Sequence, residues 1–113
     1  MKKVLLVLVV VLCSSCAQTG LYSWKDYQKT SYNYYKKQSP ESTAALIATY
    51  KKMIASEQTS KRQVVPPGIH AEYGYLLLQN GSKDEGIEQL KREVELYPES
   101  GTFVNRIIKL AEK

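Results

Sequence analysis

Apolar residues recur at helical spacing from residue 21 to the end of the chain, and proline and glycine interrupt the pattern at intervals. The interruptions fall at Pro40, at Pro66-Pro67-Gly68, at Gly81 and at Pro98. No segment shows the alternation of a half-buried strand. The sequence therefore predicts an all-α fold of about five helices. We expect these helices near residues 21–37, 40–60, 69–79, 83–97 and 101–113.

Two of these helices begin with a pattern typical of a cap. Ser39 offers a hydroxyl N-cap, Pro40 suits the first helical position, and Glu41 places a carboxylate at the positive end of the helix dipole. Ser82 and Glu85 have the spacing of a capping box. We therefore expect both serines to cap their helices.

The apolar positions of the later helices predict which faces are buried. The third helix is apolar nearly all round except for His70 and Glu72, so we expect neighbours on both of its sides. The second helix has the stripe Leu46, Ile47, Tyr50, Met53 and Ile54, and the fourth has Ile87, Leu90, Val94 and Tyr97. In the last helix we expect Phe103, Ile107, Leu110 and Ala111 to face the core and Arg106, Lys109 and Lys113 to face outward.

Residues 21–37, LYSWKDYQKTSYNYYKK, carry an aromatic stripe on one broad side of a helix. Its members are Leu21, Trp24, Tyr27, Ser31, Tyr32, Tyr34 and Tyr35, with Lys25, Lys29, Lys36 and Lys37 on the other side. Tyr and Trp at helical spacing are typical of core packing. Exposed Tyr and Trp are equally typical of interface anchors. The sequence leaves both interpretations open.

Residues 67–100 resemble a tetratricopeptide repeat, a 34-residue helix-turn-helix unit. The repeat has a Leu-Gly pair, a Tyr, an inter-helix turn, an aromatic residue and a closing proline. In this chain those positions hold, in the same order, Tyr73-Gly74, Leu77, Gly81, Leu90 and Pro98. The pattern departs from the repeat at His70, Gly86 and Glu93, which replace a Trp and two small residues. The resemblance implies that the first two helices form an earlier divergent repeat, with Trp24 as its leading Trp, and that the last helix caps the stack.

Lys2 and Lys3 near the start of the chain are followed by an apolar run from Val4 to Leu12. This run is too short to span a bilayer, and a basic start followed by a short apolar run is typical of a secretory signal peptide. Cys13-Ser14-Ser15-Cys16 resembles the lipobox of bacterial lipoprotein precursors, with Cys16 as the lipidated residue. An alternative lipobox with Cys13 as the lipidated residue fits less well, because bulky Leu12 would then stand directly before the cleavage site. A buried N-terminal helix is the other alternative, but the run has no polar face.

This resemblance divides the chain into a signal peptide, residues 1–15, and a helical domain, residues 16–113, anchored through Cys16. Because lipid would occupy that cysteine, no disulfide could stabilise the domain. Proteobacterial lipoproteins with Asp after the lipidated cysteine stay in the inner membrane. Ala17 at that position therefore implies the outer membrane, facing the periplasm.

Charge is divided unequally along the chain. Residues 16–65 contain eight basic and three acidic side chains, whereas residues 66–113 contain six basic and eight acidic ones. The excess of lysine in the first half is consistent with an ordinary solvated surface. It is also consistent with a surface that contacts anionic headgroups or peptidoglycan through Lys25, Lys29 and Lys36. An exported, lipidated location argues against a nucleic-acid partner.

The sequence contains few groups suited to catalysis. His70 is the only histidine, so no transition-metal site and no cofactor is expected. Glu72 is two positions away and points in another direction on a helix, so the two residues cannot act as a pair. No phosphate loop, nucleophile elbow or glycosidase carboxylate pair is found. We therefore expect a protein without enzymatic activity, and an envelope enzyme is the weaker alternative.

Most of the mature chain, residues 16–113, resembles a family of small bacterial lipoproteins with a tetratricopeptide-like domain of unknown function, family 4810. The segments that carry the resemblance are residues 21–37, PPGIHAEYGYLLLQNG and REVELYPES. Genes of that family tend to lie beside those for a curli-secretion-channel-like lipoprotein and a third small lipoprotein. The resemblance implies a cell-envelope assembly and carries over no catalytic residue.

These patterns predict a periplasmic interaction module that binds an envelope protein, and we expect that partner among other lipoproteins. The concave side of a tetratricopeptide stack holds a partner segment. We expect that groove to be lined by Tyr27, Tyr34, Tyr35, His70 and Tyr73.

Overall fold

The computed structural model describes residues 1–4 and 20–113. Residues 20–113 form five α-helices and contain no strand, which confirms the all-α prediction. The signal-peptide prediction falls largely on residues 5–19, and Cys13, Cys16 and Ala17 lie outside the described residues. The helices are α1 (Tyr27–Lys37), α2 (Pro40–Ala55), α3 (Ile69–Gln79), α4 (Lys83–Leu96) and α5 (Gly101–Glu112).

Helix α1 begins six residues later than its aromatic spacing predicts. Lys25 has a left-handed backbone with φ 49°, which prevents a helix from continuing through it. The carbonyls of Gly20 and Leu21 instead accept hydrogen bonds from the amides of Lys61 and Arg62, at 3.1 and 3.2 Å. The segment before α1 is therefore a non-helical arm held against the loop that follows α2.

The two predicted caps have different outcomes. Ser39 accepts a hydrogen bond from the amide of Ser42, and the Ser42 hydroxyl accepts one from the Ser39 amide, so α2 begins in a capping box. Ser82 makes no side-chain cap, which makes the second prediction wrong. Its expected partner, Glu85, instead accepts a hydrogen bond from the hydroxyl of Tyr73 at 3.0 Å.

The helices pack as two hairpins, α1 with α2 and α3 with α4, and α5 packs on α4. Helix α3 lies between two hydrophobic clusters, as its nearly uniform apolar character predicts. One cluster joins α2 to α3 and contains Leu46, Tyr50, Met53, Val65, Ile69, Tyr73, Leu76 and Leu77. The other joins α4 to α5 and contains Ile87, Leu90, Val104 and Ile108, with Ala71 and Leu78 of α3 packed against it.

The hairpin of α3 and α4 has an unusually close contact between helices. A Cβ atom placed on Gly74 would lie 2.7 Å from the carbonyl oxygen of Gly86, and one on Gly86 would lie 2.8 Å from the carbonyl oxygen of Gly74. The connecting turn places Gly81 at φ 84°, a backbone conformation that favours glycine. The glycines of this unit therefore determine how closely its two helices approach.

Helix α5 is rotated relative to the sequence prediction. Gly101, Val104 and Ile108 are buried against α4, while Phe103 and Leu110 are each 69% exposed. The predicted burial of Phe103 and Leu110 is therefore wrong. Two apolar stripes run along this helix, and the one that meets Ile87 and Leu90 of α4 contains Val104 and Ile108, with Ile107 and Ala111 partly buried beside it.

Within the described part of the chain, no helix is both long enough and apolar enough to cross a bilayer.

Candidate functional site

A groove of about 270 Å³ runs between α1 and α3, above α2. Leu46 and Tyr50 of α2 and Leu76 of α3 form its apolar base. Its walls come from the end of α1 and from the outward side of α3, and consist of Tyr34, Tyr35, Gln38, Glu72, Tyr75 and Gln79. The groove is therefore built from tyrosine, amide and aliphatic side chains, with one carboxylate.

Glu72 is held in place by tyrosines from the two preceding helices. The hydroxyl of Tyr27 donates to Glu72 Oε2 at 2.7 Å, and the hydroxyl of Tyr50 donates to the same oxygen at 3.0 Å. Among the described residues no lysine or arginine forms a salt bridge with Glu72. The carboxyl group is thus oriented by two phenol donors and by no basic side chain.

The aromatic rings around this carboxylate form a continuous ladder. Trp24 lies 5.5 Å from Tyr27, Tyr27 lies 6.1 Å from Tyr50, and Tyr50 lies 5.5 Å from Tyr73, measured between ring centroids. These are ordinary distances for favourable aromatic pairs. The ladder connects the arm before α1, through α2, to the buried ring of Tyr73 in α3.

The structure separates the tyrosines that sequence reasoning grouped together. Tyr27 and Tyr34 pack partly against the core, whereas Tyr35 is 68% exposed on the groove wall. Tyr73 is buried and directed toward α4, where it meets Glu85. Core packing therefore applies to Tyr27 and Tyr34, whereas the interface interpretation stays a prediction for the exposed Tyr35.

Seven of the nine groove residues, Glu72 and Tyr75 among them, were not among the candidates predicted from the sequence. Tyr75 is 50% exposed and lies on the α3 wall with Glu72. The signal was present, because residues 72, 75, 76 and 79 recur at i, i+3, i+4 and i+7. The strongly apolar character of α3 obscured it, since core packing accounts for the other positions of this helix.

His70 lies on the other side of α3, away from the groove. It is 3% exposed, and its Nδ1 lies 2.7 Å from Oε1 of Gln89. Its Nε2 has no hydrogen-bond partner among the described residues. His70 borders a separate cleft of about 800 Å³ along α4. His70 and Glu72 therefore belong to different surfaces, as their spacing on a helix predicts.

The basic residues of α1 and the arm before it form a further surface. Lys25 and Lys29 line a shallow depression with Tyr32, and the Nζ of Lys36 lies 5.7 Å from the centre of the Tyr32 ring. All three lysines are exposed. They do not line the groove between α1 and α3.

In the part of the chain that the structure describes, no group of three or more His, Cys, Asp or Glu is arranged to hold a metal ion. The groove also offers no histidine and no second carboxylate. The groove presents aromatic rings, side-chain amides and one carboxyl group.

Four tyrosines should resist ionisation while the protein is folded. Burial, reinforced by Glu72, raises the pKa of Tyr27 and of Tyr50 well above the usual 10.0. Burial also raises the pKa of Tyr73 and of Tyr97 to about 12, with help from Glu85 at Tyr73. When the pKa of a tyrosine is higher in the folded protein than in the unfolded chain, the unfolded chain loses its proton first as the pH rises. The free energy of unfolding is therefore undiminished below the unfolded pKa and falls above it. We therefore expect stability to decline above pH 10.

Urea unfolding at a series of alkaline pH values, with phenolate absorbance recorded in parallel, measures this decline. The four phenols should ionise together with loss of helix. Tyr73→Phe should make the decline less steep. Ionisation of these four near pH 10, with the helical signal intact, would show that their hydroxyls are not buried as described.

Comparison with known proteins gives one family match. The model of the family described as Domain of unknown function (DUF4810) matches residues 21–107. No curated protein and no solved structure gives a significant match. The matched region spans all of α1 to α4 and half of α5, including the groove. Since the match covers more than half of the chain, the chain belongs to this family of domains of unknown function.

Proposed function

We propose that this protein is a lipid-anchored module of the outer membrane whose groove between α1 and α3 binds a segment of a periplasmic envelope protein. The observation that supports this best is the exposure of Tyr35 and Tyr75 on facing walls, above a base of buried apolar side chains. Exposed aromatic rings around an apolar base are typical of peptide-binding surfaces. The family resemblance makes a curli-secretion-channel-like lipoprotein the first partner to test.

The anchoring part of the proposal depends on Cys16. We expect Cys16→Ala to abolish labelling by a tagged fatty acid and to leave an unprocessed or soluble product. Cys13→Ala is the matched control and should still be labelled. Ala17→Asp should move the labelled protein to the inner-membrane fraction of a density gradient. Labelling that depends on Cys13 would contradict the anchor assignment.

The binding part of the proposal depends on the two exposed groove tyrosines. Tyr35→Ala combined with Tyr75→Ala should remove the envelope protein that co-purifies from detergent-solubilised membranes, because both rings lie on the groove walls. Since both rings are largely exposed, helical circular dichroism and the unfolding midpoint should stay close to those of the wild type. Quantitative mass spectrometry of the co-purified proteins measures the loss.

The matched control is Tyr32→Ala, which removes an equally exposed tyrosine of α1 outside the groove. This variant should retain the partner. A double variant that is folded and still retains the partner would place the contact elsewhere. If Tyr32→Ala alone loses the partner, the contact lies on the basic surface of α1.

A second candidate function is contact with peptidoglycan or anionic lipid through the basic surface of Lys25, Lys29 and Lys36. The observation that favours it is that these exposed lysines form no salt bridge with any described residue. Replacing all three with glutamine should then weaken sedimentation with purified peptidoglycan or with anionic vesicles. The same variant should retain the protein partner if the groove is the binding site.

A further inference from the structure

We infer that the groove between α1 and α3 takes a lysine or arginine side chain of the partner segment, with its cationic end at Glu72 and its stem between Tyr35 and Tyr75. This inference rests on the proposed function and specifies the chemistry of the occupant. It follows from the charge of the groove, from the way Glu72 is held and from the size of the space.

The first step concerns charge. Of the nine residues that line the groove, Glu72 is the only one with a carboxyl group, and none is a lysine, arginine or histidine. An acidic segment would be repelled by this carboxylate, and a purely apolar segment would cover it without a partner, which is costly. A cationic side chain is the occupant that compensates the charge.

The second step concerns orientation. Tyr27 and Tyr50 both donate to Oε2 of Glu72, which leaves no described hydrogen bond on Oε1. The carboxylate is held before any ligand arrives, so binding does not have to restrict its rotamers. Because the donors are neutral phenols, they orient the carboxylate without cancelling its charge. An incoming ammonium or guanidinium group would form a charge-assisted hydrogen bond with it.

The third step concerns the walls and the volume. Tyrosine rings attract cations over their faces, and Lys36 already lies in such a position over Tyr32. Tyr35 and Tyr75 offer comparable exposed rings beside Glu72. The volume of about 270 Å³ is below the usual range for small-molecule sites, roughly 300–1,000 Å³. The space is therefore large enough for one long side chain and lies at the small end of the range for ligand sites.

A displayed library of random ten-residue peptides, selected on the full-length lipidated protein in detergent micelles, tests the inference. Peptides whose binding is lost with Tyr35→Ala and Tyr75→Ala are those that use the groove. We expect these to share one lysine or arginine. Replacing it with norleucine should weaken the Kd for the wild-type protein by about tenfold. Added salt should reduce this difference, because it screens the charge pair.

Glu72→Gln provides the complementary measurement, since glutamine retains an oxygen that can accept from both tyrosines. It should weaken the lysine or arginine peptides by about tenfold, whereas the norleucine peptides should bind this variant at least as well as the wild-type protein, because covering an amide costs less than covering a carboxylate. Glu88→Gln, an exposed carboxylate of α4 outside the groove, is the control and should change neither affinity. The norleucine comparison uses wild-type protein, so it holds even if Glu72→Gln folds poorly.

The outcomes separate this inference from the proposed function. Groove-dependent peptides without a shared basic residue, or with equal affinity after norleucine replacement, would overturn the cationic occupant and leave the binding function intact. If no selected peptide depends on Tyr35 and Tyr75, the binding function of the groove fails and the inference fails with it.

Discussion

Gly74→Ala is expected to lower the free energy of unfolding by about 3 kcal/mol, although alanine is the better helix former by about 1 kcal/mol. A Cβ at this position would lie 2.7 Å from the carbonyl oxygen of Gly86 and 2.9 Å from Cγ of Leu90. One of these neighbours is backbone and cannot rotate away, so α3 and α4 must separate. That separation loosens the packing around Leu90, which is completely buried.

Urea denaturation followed by circular dichroism measures this loss. Gly101→Ala is the matched control, because a Cβ there meets nothing closer than 3.4 Å. It should be neutral or slightly stabilising. Gly86→Ala should lower the free energy of unfolding by about as much as Gly74→Ala. The double variant should lose less stability than the sum of the two single variants, because one separation of the helices relieves both close contacts. A Gly74→Ala protein as stable as the wild type would contradict the close contact between these helices.

Glu93→Ala is expected to destabilise the protein by about 3 kcal/mol. Glu93 is only 1% exposed, and its two carboxylate oxygens accept hydrogen bonds from the amides of Gly68 (2.7 Å) and Ala71 (3.2 Å). These amides belong to the start of α3, where no residue of the same helix can satisfy them. A side chain of α4 thus caps α3, and its loss leaves two amide groups without partners and creates a cavity.

Thermal or urea unfolding measures this effect, and amide hydrogen exchange locates it. The exchange of the Gly68 and Ala71 amides should accelerate more than that of α5. Glu88→Ala on the exposed side of α4 is the control and should change stability by less than about 0.5 kcal/mol. Unchanged exchange at both amides in the Glu93 variant would show that another group caps α3.

Glu93 also shows why part of this architecture could not be predicted from the sequence. Compared with a tetratricopeptide repeat it is a departure, because it occupies a position that normally holds a small residue. Its role depends on Gly68, which is 25 positions away, and no local pattern connects the two. The same limit applies to Glu85, whose spacing from Ser82 suggested a cap but which binds Tyr73 instead.

The groove was predictable in part. Helical spacing indicated an aromatic surface on α1, and Tyr34 and Tyr35 do line the groove. Spacing could not distinguish Tyr35, which is exposed, from Tyr27, which packs on the core and holds Glu72. That distinction depends on where α2 and α3 lie, which is a property of the packed helices.

The sequence by itself determined the all-α class, the Ser39 cap and the positions at which most helices end, because these depend on neighbouring residues along the chain. Only the tertiary structure decided which of the two apolar stripes of α5 is buried, since both have helical spacing. Burial went to Val104 and Ile108 because these are the residues that meet Ile87 and Leu90 of α4 in one cluster, and Phe103 and Leu110 were left exposed. The tertiary structure also brought Tyr27, Tyr50 and Glu72 from three helices into one hydrogen-bonded group, because such contacts arise only when separate segments pack together.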